Sequence, residues 1–257
     1  MTSYMEDRKM IRGIYNNSSA MQYLDEKLDV ISNNLANTET NGFKRSGVAF
    51  RQHITAEQAK HRELNNLDPL PRGEIQTYIE YTPGALRQTG NPLNFALDGK
   101  GFFTVQTPEG IAWTRDGAFS MDDDGYIVTQ DGYYVLGEYN GPIKIFGNSF
   151  STSDNGDIVV DNQVVNRFLI QDFDLKEVVQ RGQNLYHPRD PYLMHLQHNY
   201  LTIYDAQMKQ GFLETSNVNI VKEMISMIAI NRQYQANDKA IKTQDEALNK
   251  SVNNISR

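Results

Sequence analysis

Five histidines are the first place to look for chemistry in this chain of 257 residues. Four of them are His61, His187, His195 and His198, the last two three positions apart, with Asp190 and Asp205 nearby in sequence. Imidazole and carboxylate together are the donor set of a zinc or iron centre. Such a centre needs its donors on one face, and Pro188 and Pro191 break the segment, so surface or hydrogen-bonded histidines are expected and no metal. Asp122, Asp123 and Asp124 precede Gly125 and resemble a piece of a calcium loop. The alternating acidic spacing and the closing bidentate glutamate of that loop are missing, so a hairpin turn is expected. Asp98-Gly99-Lys100-Gly101 lacks the span and the lysine–serine ending of a phosphate loop. Its glycines suit a tight turn before a strand at Phe102.

No nucleophile elbow, H-E-x-x-H pair or dinucleotide fingerprint is present. Cysteine is absent, which removes disulfides, thiolate metal sites and cysteine nucleophiles. The chain is therefore expected not to be an enzyme, with no cofactor and no small-molecule substrate. A formal charge of −7 supplies no basic surplus to neutralise phosphates, so no nucleic-acid partner is expected. The longest apolar run, Met224–Ile230, is seven residues with a serine inside, far from the ~20 of a membrane span, so no membrane insertion is expected. Glu6, Asp7, Arg8 and Lys9 stand where a cleaved signal would need an apolar core.

The elements that could position anything lie at the two ends. Ile14 to Thr40 contains neither glycine nor proline, and Ile14, Met21, Leu24, Leu28, Ile31 and Leu35 follow heptad steps with a polar break at Asn17. Gly42 then offers a left-handed conformation to close the helix. Near the other end Ile220, Met227, Tyr234, Ile241, Leu248 and Ile255 recur every seven residues. Met224 and Val252 add a second row at its two ends, while Asn231, Asp238 and Asp245 interrupt it. One clean apolar position per heptad suits a seam between helices better than burial in a core. Ser216, Asn217 and Asn219 are candidate N-caps.

Between the helices the texture changes to period two. Asp98-Gly99, Asp116-Gly117, Asp124-Gly125, Asp131-Gly132 and Asn155-Gly156 are turn dipeptides. They separate short aromatic and branched runs at Phe102–Val105, Tyr126–Thr129, Tyr133–Leu136 and Ile158–Val160, which predict strands. The expected fold class is α+β: N- and C-terminal coiled-coil helices paired as an inner domain, with a mostly antiparallel β domain inserted between them. The expected domains are residues 1–42 with 211–257 as the helical inner domain, 43–90 as an extended connector, 91–182 as a β-rich outer domain and 183–210 as a return connector.

Three blocks carry a resemblance. Residues 32–45 read SNNLANTETNGFKR, with A-N-x-x-T-x-G-F-K after the first helix. Residues 91–110 read NPLNFALDGKGFFTVQTPEG, followed from Trp113 by WTRDGAFSMDDDGYIVTQDGYYVLG. Residues 211–250 read GFLETSNVNIVKEMISMIAINRQYQANDKAIKTQDEALNK, with S-N-V-N before the last helix. Together, and in this order, they resemble the bacterial flagellar rod and hook family. The resemblance implies a structural subunit of the basal-body rod within the periplasmic space. It would be exported by the flagellar type III apparatus and would polymerise with copies of itself and other rod subunits. The implied assembly interface comprises Ile14, Met21, Leu24, Leu28, Ile31, Leu35, Asn37, Gly42 and Phe43 near the start. Near the end it comprises Ile220, Val221, Met224, Ile225, Met227, Ile228, Tyr234, Ile241, Leu248, Val252 and Ile255. Of these, Val221, Ile225 and Ile228 lie off the main stripe and are expected to meet neighbours.

The length disfavours a hook subunit. The short stretch from Gly42 to Asn91, with NPLNFAL and VLGEYNGPIKI, favours the proximal-rod F type over the distal-rod G type. From another class, a secreted adhesin-like module with a coiled-coil stalk would show the heptads without the two flanking motifs.

Overall fold

The computed structural model describes residues 2–53, 72–146, 150–173, 178–182, 184–189, 201–202 and 207–255, with side chains omitted in 2–16, 51–53, 72–74, 201–202, 248 and 250–255. The protein has an α+β fold with two long helices, α1 (Thr2–Ala36) and α2 (Ile220–Ile255), and many short antiparallel strands between them in sequence. It divides into two compact units. One holds the helices with residues 46–80, and the other holds residues 37–45 and 81–218.

In the helical unit, α1 carries a buried stripe. Leu24 and Ile31 are buried, and Met21, Leu28 and Leu35 are half-buried, which is the heptad series read from the sequence. They are joined by Ile230 of α2, with Tyr23, Leu28, Met227 and Tyr234 packed against the cluster. The inner row of α2 therefore steps through Met227, Ile230, Tyr234 and Ile241. Met224, expected beside it, is 48% exposed. The reason is the order of the steps: the second row sits three residues after each seam position, not four, and it is filled by Glu223, Ile230, Asn237 and Gln244. The same unit contains an antiparallel pair, Ser46–His53 with Arg72–Ile79. Tyr23 meets Phe50 of this pair edge to face at 5.9 Å. No helix among the described residues is long and apolar enough to cross a membrane.

In the β unit the main sheet runs in the order Val178–Arg181, Leu185–Pro188, Gly110–Thr114, Phe102–Thr107, Tyr134–Val135, Ile127–Val128 and Ser120–Met121. Phe95, Phe103, Phe119 and Phe168 form its aromatic centre, with Phe95 and Phe168 4.9 Å apart and Phe103 and Phe119 5.2 Å apart. Ring pairs of this kind add about 0.5–1.5 kcal/mol each beyond the area they bury. Turn chemistry sets the register. Gly125, Gly132 and Gly156 all have positive φ, each donating its N–H back three residues, to Asp122, Thr129 and Ser153. Asp122 uses its carboxylate on the backbone, accepting from Asp124 N at 3.1 Å and Tyr126 N at 2.7 Å, so this acidic run is the expected turn. His187 is buried in the strand Leu185–Pro188, and burial depresses its pKa. His61, His195, His198, Asp190 and Asp205 lie outside the described residues.

Candidate functional site

Three places in the molecule are more organised than the fold alone requires. The first brings the two flanking motifs together in the β unit. α1 ends at Ala36, so Gly42 does not cap it. Instead Asn37 begins a turn: its carbonyl accepts from Thr40 N at 3.3 Å and its side-chain oxygen from Thr40 Oγ1 at 3.1 Å. Gly42 has φ of 66° and donates its N–H to the Glu214 carbonyl at 2.7 Å. A Cβ there would stand 2.5 Å from the carbonyl carbon of Arg115, so both conformation and space demand glycine. Phe43 beside it is buried.

Lys44 follows, and its Nζ donates to Glu214 Oε1 and to the Thr82 carbonyl, the latter at 3.2 Å. Arg115 donates to Glu214 Oε2 at 3.2 Å and to the Leu97 carbonyl at 3.2 Å. Lys44, Arg115 and Glu214 are 1%, 6% and 1% exposed, so two cations share one carboxylate away from water. Burial pulls the Lys44 ammonium below the usual lysine range, against the opposing pull of Glu214. Burial acts on Arg115 in the same direction. Asn217, in the second motif, completes the joint. Its Oδ1 accepts from Arg45 N at 2.7 Å and its Nδ2 donates to the Thr82 carbonyl at 3.0 Å. Of the candidate caps on α2, Asn219 does the capping, accepting from Lys222 N at 3.0 Å.

A second polar joint sits inside the helical unit. Asn34 is fully buried. Its Nδ2 donates to the Ser46 carbonyl and its Oδ1 accepts from Ser46 N, both at 2.8 Å. One side chain thus satisfies both backbone groups where the strand begins, as a neighbouring strand would. Sequence reasoning passed over Asn34 and Ile230. Asn34 falls one short of the apolar Leu35, and Ile230 stands in a row whose later members are polar.

The third organised place is the outer face of α2. Val221, Ile225 and Ile228 are 65%, 63% and 55% exposed, with Ile220 and Met224 at 39% and 48%. Beyond Ile228 the outward positions turn polar, with Arg232, Gln233 and Gln235 exposed. Among the described side chains the apolar face is therefore confined to the first turns of the helix. Met227, Tyr234 and Ile241 are half-buried on the opposite side. Ile14, Leu248, Val252 and Ile255 lie on the helices, their side chains outside the described ones.

These features hold segments of chain together and leave an apolar face on α2 uncovered. Comparison with known proteins gives the family. Residues 209–255 match the C-terminal part of flagellar basal-body rod FlgEFG proteins, residues 96–170 the D1 domain of flagellar hook protein FlgE/F/G, and residues 14–44 the flagella basal body rod protein family. The chain is 35% identical to the flagellar basal-body rod protein FlgG of Bacillus subtilis, over 95% of this chain and 99% of that one. It is 30% identical to the rod protein FlgF of Mesorhizobium japonicum, over 88% and 94%. It is 29% identical to FlgG of Borreliella burgdorferi, over 96% and 100%. The chain belongs to the flagellar basal-body rod protein family, the structural proteins of the rod in the flagellar basal body.

Proposed function

We propose that this chain polymerises through its terminal helices into the axial shaft that links motor to hook. In this reading α1 and α2 pair as a coiled coil forming an inner domain, and the β unit is inserted between them as an outer domain. The subunit travels through the flagellar type III export apparatus and takes its place where the rod crosses the periplasm, against copies of itself and other rod subunits. The observation that carries this is the exposed face of α2. Val221, Met224, Ile225 and Ile228 form an uncovered apolar patch on a helix whose opposite side is already packed. Burying an isoleucine-sized side chain is worth about 1.5–3 kcal/mol, so a few such contacts per subunit suffice to hold a polymer. A rod also needs heterologous contacts that do not close into a dimer. A helix with one face on its partner and another face free supplies them. The implied interface residues on α1 and in the A-N-x-x-T-x-G-F-K block then act as the frame that holds α2.

The test is incorporation. Removing residues 241–257 should abolish entry into the rod while the β unit stays folded by its near-ultraviolet circular dichroism. Normal incorporation of the truncated chain would sink the reading. Relatives of F and G type both match over nearly the whole chain, so type is read from position. A basal-body map with the chain in the proximal segment supports the F type favoured above, and one with it in the distal segment supports the G type.

A further inference from the structure

Tyr139 is the most exposed large apolar side chain among the described residues, at 84%. It stands on a tight turn in the β unit. Gly137 N donates to the Gly141 carbonyl at 2.9 Å and Asn140 N to the Gly137 carbonyl at 2.8 Å, with Asn140 at φ 59°. Leu136 and Pro142 bridge the base of the turn. The ring is therefore presented by a fixed backbone, with a carboxylate next to it at Glu138. In water such a ring is a loss that packing could recover.

The same unit contains a cavity of about 520 Å³ whose walls include Tyr81, Pro83, Phe102 and Phe173. Buried Lys44 and Arg115 line it as well, and exposed Lys100 and half-buried Asp172 complete it. Glu214 is shared by Lys44 and Arg115, so among the described residues three cations here face two carboxylates, a surplus of one positive charge. Apolar walls with a cationic side suit an aromatic ring that arrives with an acid beside it. Phe146 is the other highly exposed ring, at 71%, but Lys144 Nζ lies 4.6 Å over it and would bring a cation to cations.

We propose that this cavity receives Tyr139 of a second copy of the chain, with Glu138 brought toward the Lys44–Arg115–Lys100 side. This rests on the rod reading above. Knob and cavity are different surfaces of one molecule, so the contact is heterologous and repeats without closing. It is a second subunit contact, carried by the β unit and separate from α2.

The chain has no cysteine, so introduced cysteines are unique. Cells co-produce chains carrying Glu138→Cys, which keeps the Tyr139 ring, and chains carrying Lys100→Cys, and their basal bodies are isolated and oxidised. The expected result is a cross-linked pair of chains that neither variant gives alone, and a ladder when both substitutions are on one chain. Basal bodies that contain both variants and give no cross-link overturn the contact and leave the rod reading standing. Basal bodies that lack the unsubstituted chain overturn the rod reading and the contact with it. A second readout is incorporation: Tyr139→Ala and Lys100→Glu should each lower it at least tenfold, and Tyr139→Phe should not. Incorporation of Tyr139→Ala at the unsubstituted level also overturns the proposal.

Discussion

Lys44 and Glu214 stand 170 positions apart in sequence and meet in a buried ion pair, with Arg115 on the other oxygen of the same carboxylate. The relationship ties the segment after the first helix to the segment before the last one, within one unit. Its charges are unequal, because two cations depend on one anion. Removing the anion is therefore far worse than removing one cation.

Replacing Glu214→Gln leaves two buried cations without a counter-charge, and breaking a buried pair in this way costs about 3–5 kcal/mol. Replacing Lys44→Met leaves Arg115 and Glu214 matched, and should cost less than half as much. Chemical denaturation followed by Trp113 fluorescence measures both, since the indole is fully buried in the β unit. Equal losses from the two substitutions would show that the charges do not act as a set.

Asn34→Leu tests the other polar joint. The carboxamide meets both the N–H and the carbonyl of Ser46, and leucine meets neither. Each orphaned buried backbone group costs about 1–3 kcal/mol, so the helical unit should lose on the order of 2–4 kcal/mol despite the gain in apolar surface. Hydrogen exchange at the Ser46 amide should quicken in the variant. Unchanged protection there would mean that water or another group replaces the side chain.

Asp116 sets a pH dependence. Burial pushes its carboxyl up to about 6 from 3.8, against the Ala118 N–H that it accepts at 2.9 Å. The folded value lies above the unfolded one, so the folded state holds this proton more tightly. The associated stability is fully present below about pH 4 and is lost as pH rises through about 6. Asp116→Asn keeps an acceptor for Ala118 and removes the charge. It should raise the stability of the β unit by about 1–2 kcal/mol at pH 8 and change it little at pH 4. Denaturation midpoints at the two pH values decide it, and a variant no more stable at pH 8 would contradict the assignment.

Much of this architecture was legible in the residues, for reasons that differ by element. The heptad series on α1 matches its buried stripe because apolar side chains occupy the helix face that packs. The turn dipeptides announced the strands because Gly125, Gly132 and Gly156 are needed at positive φ. The inner row of α2 was harder. Glu223, Asn237 and Gln244 occupy positions where a periodicity argument looks for leucine or isoleucine, and that hid Ile230 behind them. The ion set could not be read at all as a set. Lys44 and Glu214 each lie in a quoted motif, but spacing along the chain says nothing about a meeting across 170 positions. Gly42 looked like a helix cap because local rules know only the preceding helix, whereas its real constraint is the carbonyl of Arg115.

Ile230 and Ile225 separate folding from assembly on one helix. Ile230 is 4% exposed among Leu24 and Ile31, and Ile225 is 63% exposed on the other side. Truncating a buried isoleucine to alanine costs about 2–5 kcal/mol, from lost transfer energy and the cavity left behind. Ile230→Ala should therefore lower the melting temperature of the helical unit and, through that, its incorporation into the rod. Ile225→Ala removes surface that water already touches, so its stability should stay within about 0.5 kcal/mol of the parent. Its incorporation should nevertheless fall, because the contact it loses exists only between subunits. Helical content by circular dichroism and the amount of chain in isolated basal bodies, measured on both variants, give the two readouts. If Ile225→Ala enters the rod as well as the parent chain does, the exposed face of α2 is not where neighbours bind.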